Sequence, residues 1–277
     1  MSIDRIVLST DENETYIQFW PLVATAWKKY FPEVNVTLAL LTNRTEDSEL
    51  VQEMKKYGEV VIVNPVEGIP LANQAKMARH IVASSCGDDV CCLHDIDSCP
   101  LQRDYTENFV NKREINSVLR VGKEVLDGGP HEGKFPMSHI TTEGNIWKDI
   151  INPNNLTTDK LFESWVGTKE YDTKEDISQS PYGFSDESLI RVLLSRWKPQ
   201  KFTDVIRGVD IHNSWLDRSW WSTDSRLVET KLNNNEFVEA NLLRPFSVYW
   251  ENIKPVVEYI CGNTDESIIF RITDYEK

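Results

Sequence analysis

The first hundred residues repeat one alternation: a short apolar run, a stretch with helical periodicity, then another apolar run. Residues 5–10, 36–42 and 60–65 read as buried strands, the third stopped by Pro65. Between them, residues 16–30 place Phe19, Leu22, Val23, Ala26 and Trp27 on one helical face, and residues 46–57 form a second helical stretch ending near Gly58. A longer helix over residues 71–85 leads into VCCLHDID, residues 90–97. A β-α-β-α-β order of this kind folds as a mostly parallel sheet with crossover helices, so the expected class is α/β.

The fourth run ends abruptly in two acids, Asp95 and Asp97, which places them at the carboxyl rim of a strand. Open α/β sheets bind ligands at that rim. Two carboxylates two residues apart can turn toward one hard divalent cation, Mn²⁺ or Mg²⁺, which prefers oxygen ligands and keeps sites for substrate phosphates. The formal charge of −14, from 44 acidic and 30 basic residues, disfavours nucleic acid and anionic lipid as partners. An anionic substrate therefore needs a local device, and a bound cation is one.

This N-terminal pattern, with a helix bearing Lys76 and Arg79 followed by a strand ending in D-x-D, resembles the GT-A fold of nucleotide-sugar glycosyltransferases. The resemblance covers the first hundred residues best and the remainder in outline. It implies a Rossmann-like mixed sheet, a nucleotide-diphosphate sugar donor such as a UDP-sugar, and a hydroxyl acceptor such as a glycan. It further implies that Asp95 contacts ribose or metal and that Asp97 ligates the metal. Ser9 and Thr10, with Asp11, end the first strand where such enzymes hold the base. Asn73, Lys76 and Arg79 follow one another at spacings of three along the helix, where basic and amide residues contact nucleotide. His212 is the candidate third metal ligand, since imidazole is competent for manganese or zinc.

In SDESLIRVLLSRW, residues 185–197, Ser185 or Asp186 can cap a helix whose Leu189, Ile190, Leu193 and Leu194 face inward. The same position suits Asp186 and Glu187 as carboxylates that take a proton from an acceptor hydroxyl in inverting transfer. A cap followed by a first-turn acid accounts for both residues equally well. Trp215, beside His212, is the aromatic best suited to stack on a sugar, and His139 is a contact on the acceptor side.

The chain is read as one domain over residues 1–277, with a donor-binding half (1–101) and an acceptor and catalytic half (102–277). Residues 236–260 read as helical, interrupted near Pro245 and Pro255. Cys86, Cys91, Cys92 and Cys99 crowd one stretch without zinc-ligand spacing and read as reduced core thiols. With neither a span of ~18 apolar residues nor a secretory leader, the expected location is cytoplasm. Stand-alone enzymes of this outline are similar to those of bacteria and of large DNA viruses.

Two other functions fit parts of the pattern. A sugar-phosphate nucleotidyltransferase uses a related sheet, but it needs a glycine-rich basic loop after the first strand, and STDENETY, residues 9–16, has no Gly, Lys or Arg. A carbohydrate-binding protein on the same fold needs no metal, which leaves Asp95 and Asp97 without a purpose.

Overall fold

The computed structural model describes residues 2–122, 137–166, 186–206, 214–218, 221, 225–263 and 266–269. Seven strands form its central sheet: β1 (Arg5–Asp11), β2 (Asn35–Leu41), β3 (Glu59–Val63), β4 (Val90–Leu93), β6 (Val118–Val121), β7 (Ile140–Glu143) and β8 (Phe202–Val205). They lie in the order β3-β2-β1-β4-β7-β6-β8. β1 pairs in parallel with β2 and β4, β2 with β3, and β6 with β8; β7 is antiparallel to both β4 and β6. Only β7 therefore runs against the rest, and the sheet is mixed but mostly parallel, as the sequence leads one to expect.

Both faces of this sheet are covered, which explains why its strands are apolar runs rather than strict alternations. Ile6, Leu8, Leu38, Leu40 and Cys92 pack into one core with Trp20, Trp27 and Phe246. Val7, Ala39, Leu41, Cys91 and Leu93 pack into a second core with Met77, Ala78, Trp147 and Leu189. The helix supplying much of the second core is α4 (Leu71–Ser84). Its buried Gln74 fixes the entry to that helix by accepting from the Val66 amide (2.8 Å) and donating to the carbonyls of Val66 (3.0 Å) and Ile69 (2.8 Å).

Helix α6 (Gly144–Ile151) lies against α4 because its first residue has no side chain. A Cβ on Gly144 would sit 2.7 Å from the Ala83 carbonyl oxygen and 2.9 Å from that of Gly87. The Ala83 carbonyl cannot retreat without moving α4, and Gly87 lies in the turn that follows it. Gly144→Ala should therefore cost about 1–3 kcal/mol, measured as a lower urea midpoint with an unchanged slope. An unchanged midpoint would mean that the two helices are free to separate.

A second, three-stranded sheet joins distant parts of the chain. Here β5 (Ser98–Pro100) follows directly after Asp97, and β10 (Phe237–Asn241) pairs antiparallel to it and parallel to β9 (Ser214–Leu216), in the order β5-β10-β9. The expected helix over 236–260 is thus corrected in its first half. Phe237, Val238, Glu239 and Ala240 are all buried, because the segment is an inner strand with a neighbour on each side. The helix proper is Trp250–Cys261, after a cis Arg244–Pro245 bond. The expected helix over 16–30 is likewise two pieces, Glu14–Ile17 and Trp20–Tyr30, the second opening with Pro21 at its start. All five cysteines are free, with Cys91, Cys92 and Cys99 buried and Cys86 and Cys261 partly so. No helix among the described residues is long and apolar enough to cross a membrane.

Candidate active site

In the sheet order, β1 has β2 on one side and β4 on the other, so the connections leave the centre in opposite directions. Such a reversal opens a crevice beyond the carboxyl ends of the central strands. A cavity of about 520 Å³ lies there, lined by Ser9, Thr10 and Asp11 from β1 and by Asp95 and Asp97 from the turn after β4. Lys76 and Arg79 of α4 and Asp186 and Glu187 at the start of helix Asp186–Arg196 complete much of the wall. Elements far apart in sequence thus bring together most of the expected site residues.

Arg79 organises one side. Its guanidinium donates to Asp95 Oδ1 (2.6 Å), to the His94 carbonyl (2.9 Å) and to Asp186 Oδ2 (2.9 Å). The side chains of Arg79 and Asp186 are only 5% and 6% exposed, whereas that of Asp95 is 41% exposed. Burial pushes the Asp95 carboxyl up, but the adjacent Arg79 outweighs it and holds the group below its usual value. A buried guanidinium between two carboxylates stays charged and so orients both acids.

Asp97 is neutralised from the other side. Its Oδ2 accepts from Arg218 (2.6 Å) and lies 3.3 Å from Arg244, and its backbone carbonyl accepts from the Leu242 amide (2.7 Å). Burial pushes the Asp97 carboxyl above its ordinary value; Arg218 and Arg244 pull against that, and the charge of Asp95 adds to it. Arg244 also donates to the Tyr16 hydroxyl (2.6 Å) and stacks over that ring. Arg218 is tied to the Leu242 carbonyl (3.1 Å). The sequence reading missed Arg218, Arg244 and Tyr16. The arginines follow no local pattern, and only their convergence on Asp97 marks them.

Oδ2 of Asp95 and Oδ1 of Asp97 are the oxygens turned away from the closest approaches of Arg79, Arg218 and Arg244. Those two hard oxygens on one cavity wall suit Mn²⁺ or Mg²⁺. His212 lies outside the described residues, as does Ser185.

Some expected contacts fall elsewhere. Asn73 is half-buried and does not line the cavity, because a spacing of three lags a helical turn by ~60° and two such steps carry Asn73 ~120° away from Arg79. His139 is fully buried rather than on an acceptor surface. Trp215 donates to the Tyr105 hydroxyl (2.8 Å) and lies edge-on to His139, away from the lining of the cavity. Asp186, the first residue of its helix, accepts from Arg79 at Oδ2.

No family model and no curated protein matches the sequence. Among solved structures, the chain is similar to the glycosyltransferase GlyE of Streptococcus pneumoniae at 11% identity and a TM-score of 0.48, over 97% of this chain and 62% of that one. It therefore spans less than two thirds of the GlyE chain. It is also similar to the galactosyltransferase LgtC, at 11% identity and a TM-score of 0.49 over 94% and 96% of the two chains. A Bacillus anthracis structure described as a putative glucose-1-phosphate thymidylyltransferase matches at 11% identity and a TM-score of 0.41, over 74% and 87%.

Proposed function

We propose that this chain is a metal-dependent glycosyltransferase that moves a sugar from a nucleotide-diphosphate sugar, of the UDP class, to a hydroxyl acceptor such as a glycan. The observation that carries the reading is the convergence of Asp95 and Asp97 with Arg79, Arg218 and Arg244 on one crevice at the sheet's switch point. A nucleotide-binding crevice needs a floor for the base, and Ser9, Thr10 and Asp11 provide polar edges at the end of β1. It also needs positive charge for a diphosphate within a chain of formal charge −14, and Lys76, Arg218 and Arg244 line the cavity.

Asp95 and Asp97 would hold Mn²⁺ or Mg²⁺, which when bound supplies Lewis-acid stabilisation of a departing diphosphate. Arg79 keeps Asp95 ionised and pointed at the crevice. Arg218 and Arg244 sit 32–37% exposed beside Asp97, so they can reach a phosphate without leaving a fully buried pocket. Asp186 and Glu187, both on the cavity lining at the start of helix Asp186–Arg196, are the carboxylates to accept the acceptor's proton if stereochemistry inverts, with Asp186 oriented by Arg79. The acceptor enters from the half of the chain beyond residue 101, within a single domain.

Calorimetric titration of UDP and GDP, with and without Mn²⁺, tests the reading. Metal-dependent binding of UDP is expected, with GDP weaker. Glu187→Gln should bind the donor nucleotide as the parent does, since its role is toward the acceptor. Absence of binding by either nucleotide in either condition would sink the proposal and favour a carbohydrate-binding protein.

A further inference from the structure

Behind the cavity, on the side of the small sheet, lies a second cluster that glycosyl transfer does not use. His94 and His139 are 0% exposed and Glu239 is 1% exposed. Three elements deliver them: His94 follows β4, His139 precedes β7, and Glu239 is in the middle of β10. His94 Nε2 lies 3.3 Å from Glu239 Oε1, and His139 Nε2 lies 2.9 Å from Glu239 Oε2. Ligand atoms from all three lie within 4.8 Å of one another.

The geometry points to a buried binding site for a zinc-class transition-metal cation, held by Nε2 of His94, Nε2 of His139 and the carboxylate of Glu239.

Three observations support it. The first is the orientation of His94. Its Nδ1 lies 3.1 Å from the Asp95 carbonyl, which can only accept, so Nδ1 is the donor there and Nε2 is the atom turned toward Glu239. Metal-ligating histidines use this arrangement, with the remote nitrogen donating to a backbone carbonyl. The second is an orphaned pair. His94 Nε2 and Glu239 Oε1 are both buried, and neither makes a hydrogen bond, although they face each other. Two atoms that approach to 3.3 Å without bonding match the spacing of neighbouring ligands around a cation with bonds of about 2.0–2.2 Å, where tetrahedral ligand atoms lie about 3.3 Å apart. The third is backbone conformation. His139 adopts φ 63°, the left-handed region, while its amide donates to the Leu93 carbonyl (2.7 Å). A non-glycine residue held there costs conformational energy, and such positions concentrate at functional sites.

Ligand chemistry selects the metal. Two imidazoles and one carboxylate favour zinc and its first-row neighbours over magnesium or calcium, which prefer all-oxygen sets. Glu239 turns one oxygen toward each imidazole, so a bidentate carboxylate gives four donor atoms without water. Trp27 packs edge-on to His94 and Phe109 edge-on to His139, which encloses the site in apolar rings. A closed site of this kind is structural. Its metal would fix the backbone at His94, whose carbonyl holds Arg79 and whose neighbour is Asp95. The cluster is separate from the crevice, so the inference stands whether or not the chain transfers sugars.

The test begins with the full chain, unfolded in chelator, refolded with Zn²⁺ or Co²⁺ and desalted. Elemental analysis should find one zinc per chain, and the Co²⁺ form should show the visible d–d absorption of a four-coordinate site. Asp97→Asn, which alters only the crevice, should retain the zinc. His139→Gln should lower zinc affinity by at least roughly 10-fold in chelator competition. If that variant fails to fold, the Co²⁺ spectrum of the parent chain decides. A refolded parent that takes up neither zinc nor cobalt, with an unchanged melting temperature in either metal, would overturn the proposal and leave the two imidazoles clamping Glu239 through protons alone. Zinc lost in Asp97→Asn but kept in His139→Gln would also overturn it, by placing the metal in the crevice.

Discussion

Arg79→Met should destabilise the fold by about 3–5 kcal/mol, because it removes the guanidinium from between two carboxylates and leaves Asp186 as an uncompensated buried charge. Methionine keeps much of the apolar stem, so the loss reports charge rather than volume. The second half of a mutant cycle makes the attribution specific. In Arg79→Met/Asp186→Asn the stranded charge is absent, and most of the loss should return. Urea denaturation of the four proteins measures it. A double variant no more stable than Arg79→Met would show that packing around α4 dominates, and that the ion pair contributes little.

Asp97→Asn should have the opposite profile, nearly neutral for stability and severe for ligand binding. Arg218 and Arg244 are 37% and 32% exposed, so losing their carboxylate partner returns them to water at a cost of about 1 kcal/mol or less. Metal-dependent nucleotide binding, by contrast, loses one of two carboxylate ligands. Changes to groups that merely support a ligand already cost 10–100-fold, so a loss of at least about 100-fold, ~2.7 kcal/mol, is expected. Titration of UDP with Mn²⁺ into the parent and the variant measures it. Equal affinity in the two proteins would mean that the arginines, and not a cation held by Asp97, meet the phosphates.

The contrast between these residues shows what the sequence made legible. Asp95 and Asp97 stood out because an apolar run stopped at them, and a strand that ends in acids advertises its rim. Arg79 was legible as a basic helix residue, but its second partner, Asp186, is 107 positions away and no periodicity links them. Arg218 was invisible for the same reason, lying 121 positions from Asp97. Phe237–Asn241 misled because its local preference is divided, Phe and Val favouring a strand and Glu and Ala a helix, and the neighbours on either side, β5 and β9, decide for the strand. Glu239 in particular looks like a solvent-facing helical acid in isolation. Only the pairing of β10 with β5 turns it inward to the two histidines. Local pattern thus revealed the sheet and its rim, and long-range pairing decided which charges meet there.

That pairing also sets an order of events during synthesis. Ser98 in β5 and its partner Asn241 in β10 are 143 positions apart. At ordinary elongation rates of about 5–20 residues per second, roughly 7 to 30 s separate their appearance. For most of that interval the parallel strands β1 to β4 can assemble with Arg79 already in hand, but Asp97 has neither Arg218 nor Arg244, and β5 has no neighbour. Contacts of such long range also close late because of their loop entropy. The crevice is therefore among the last parts of the molecule to reach its final charge balance, and a nascent chain can hold most of its sheet before it can recognise a ligand.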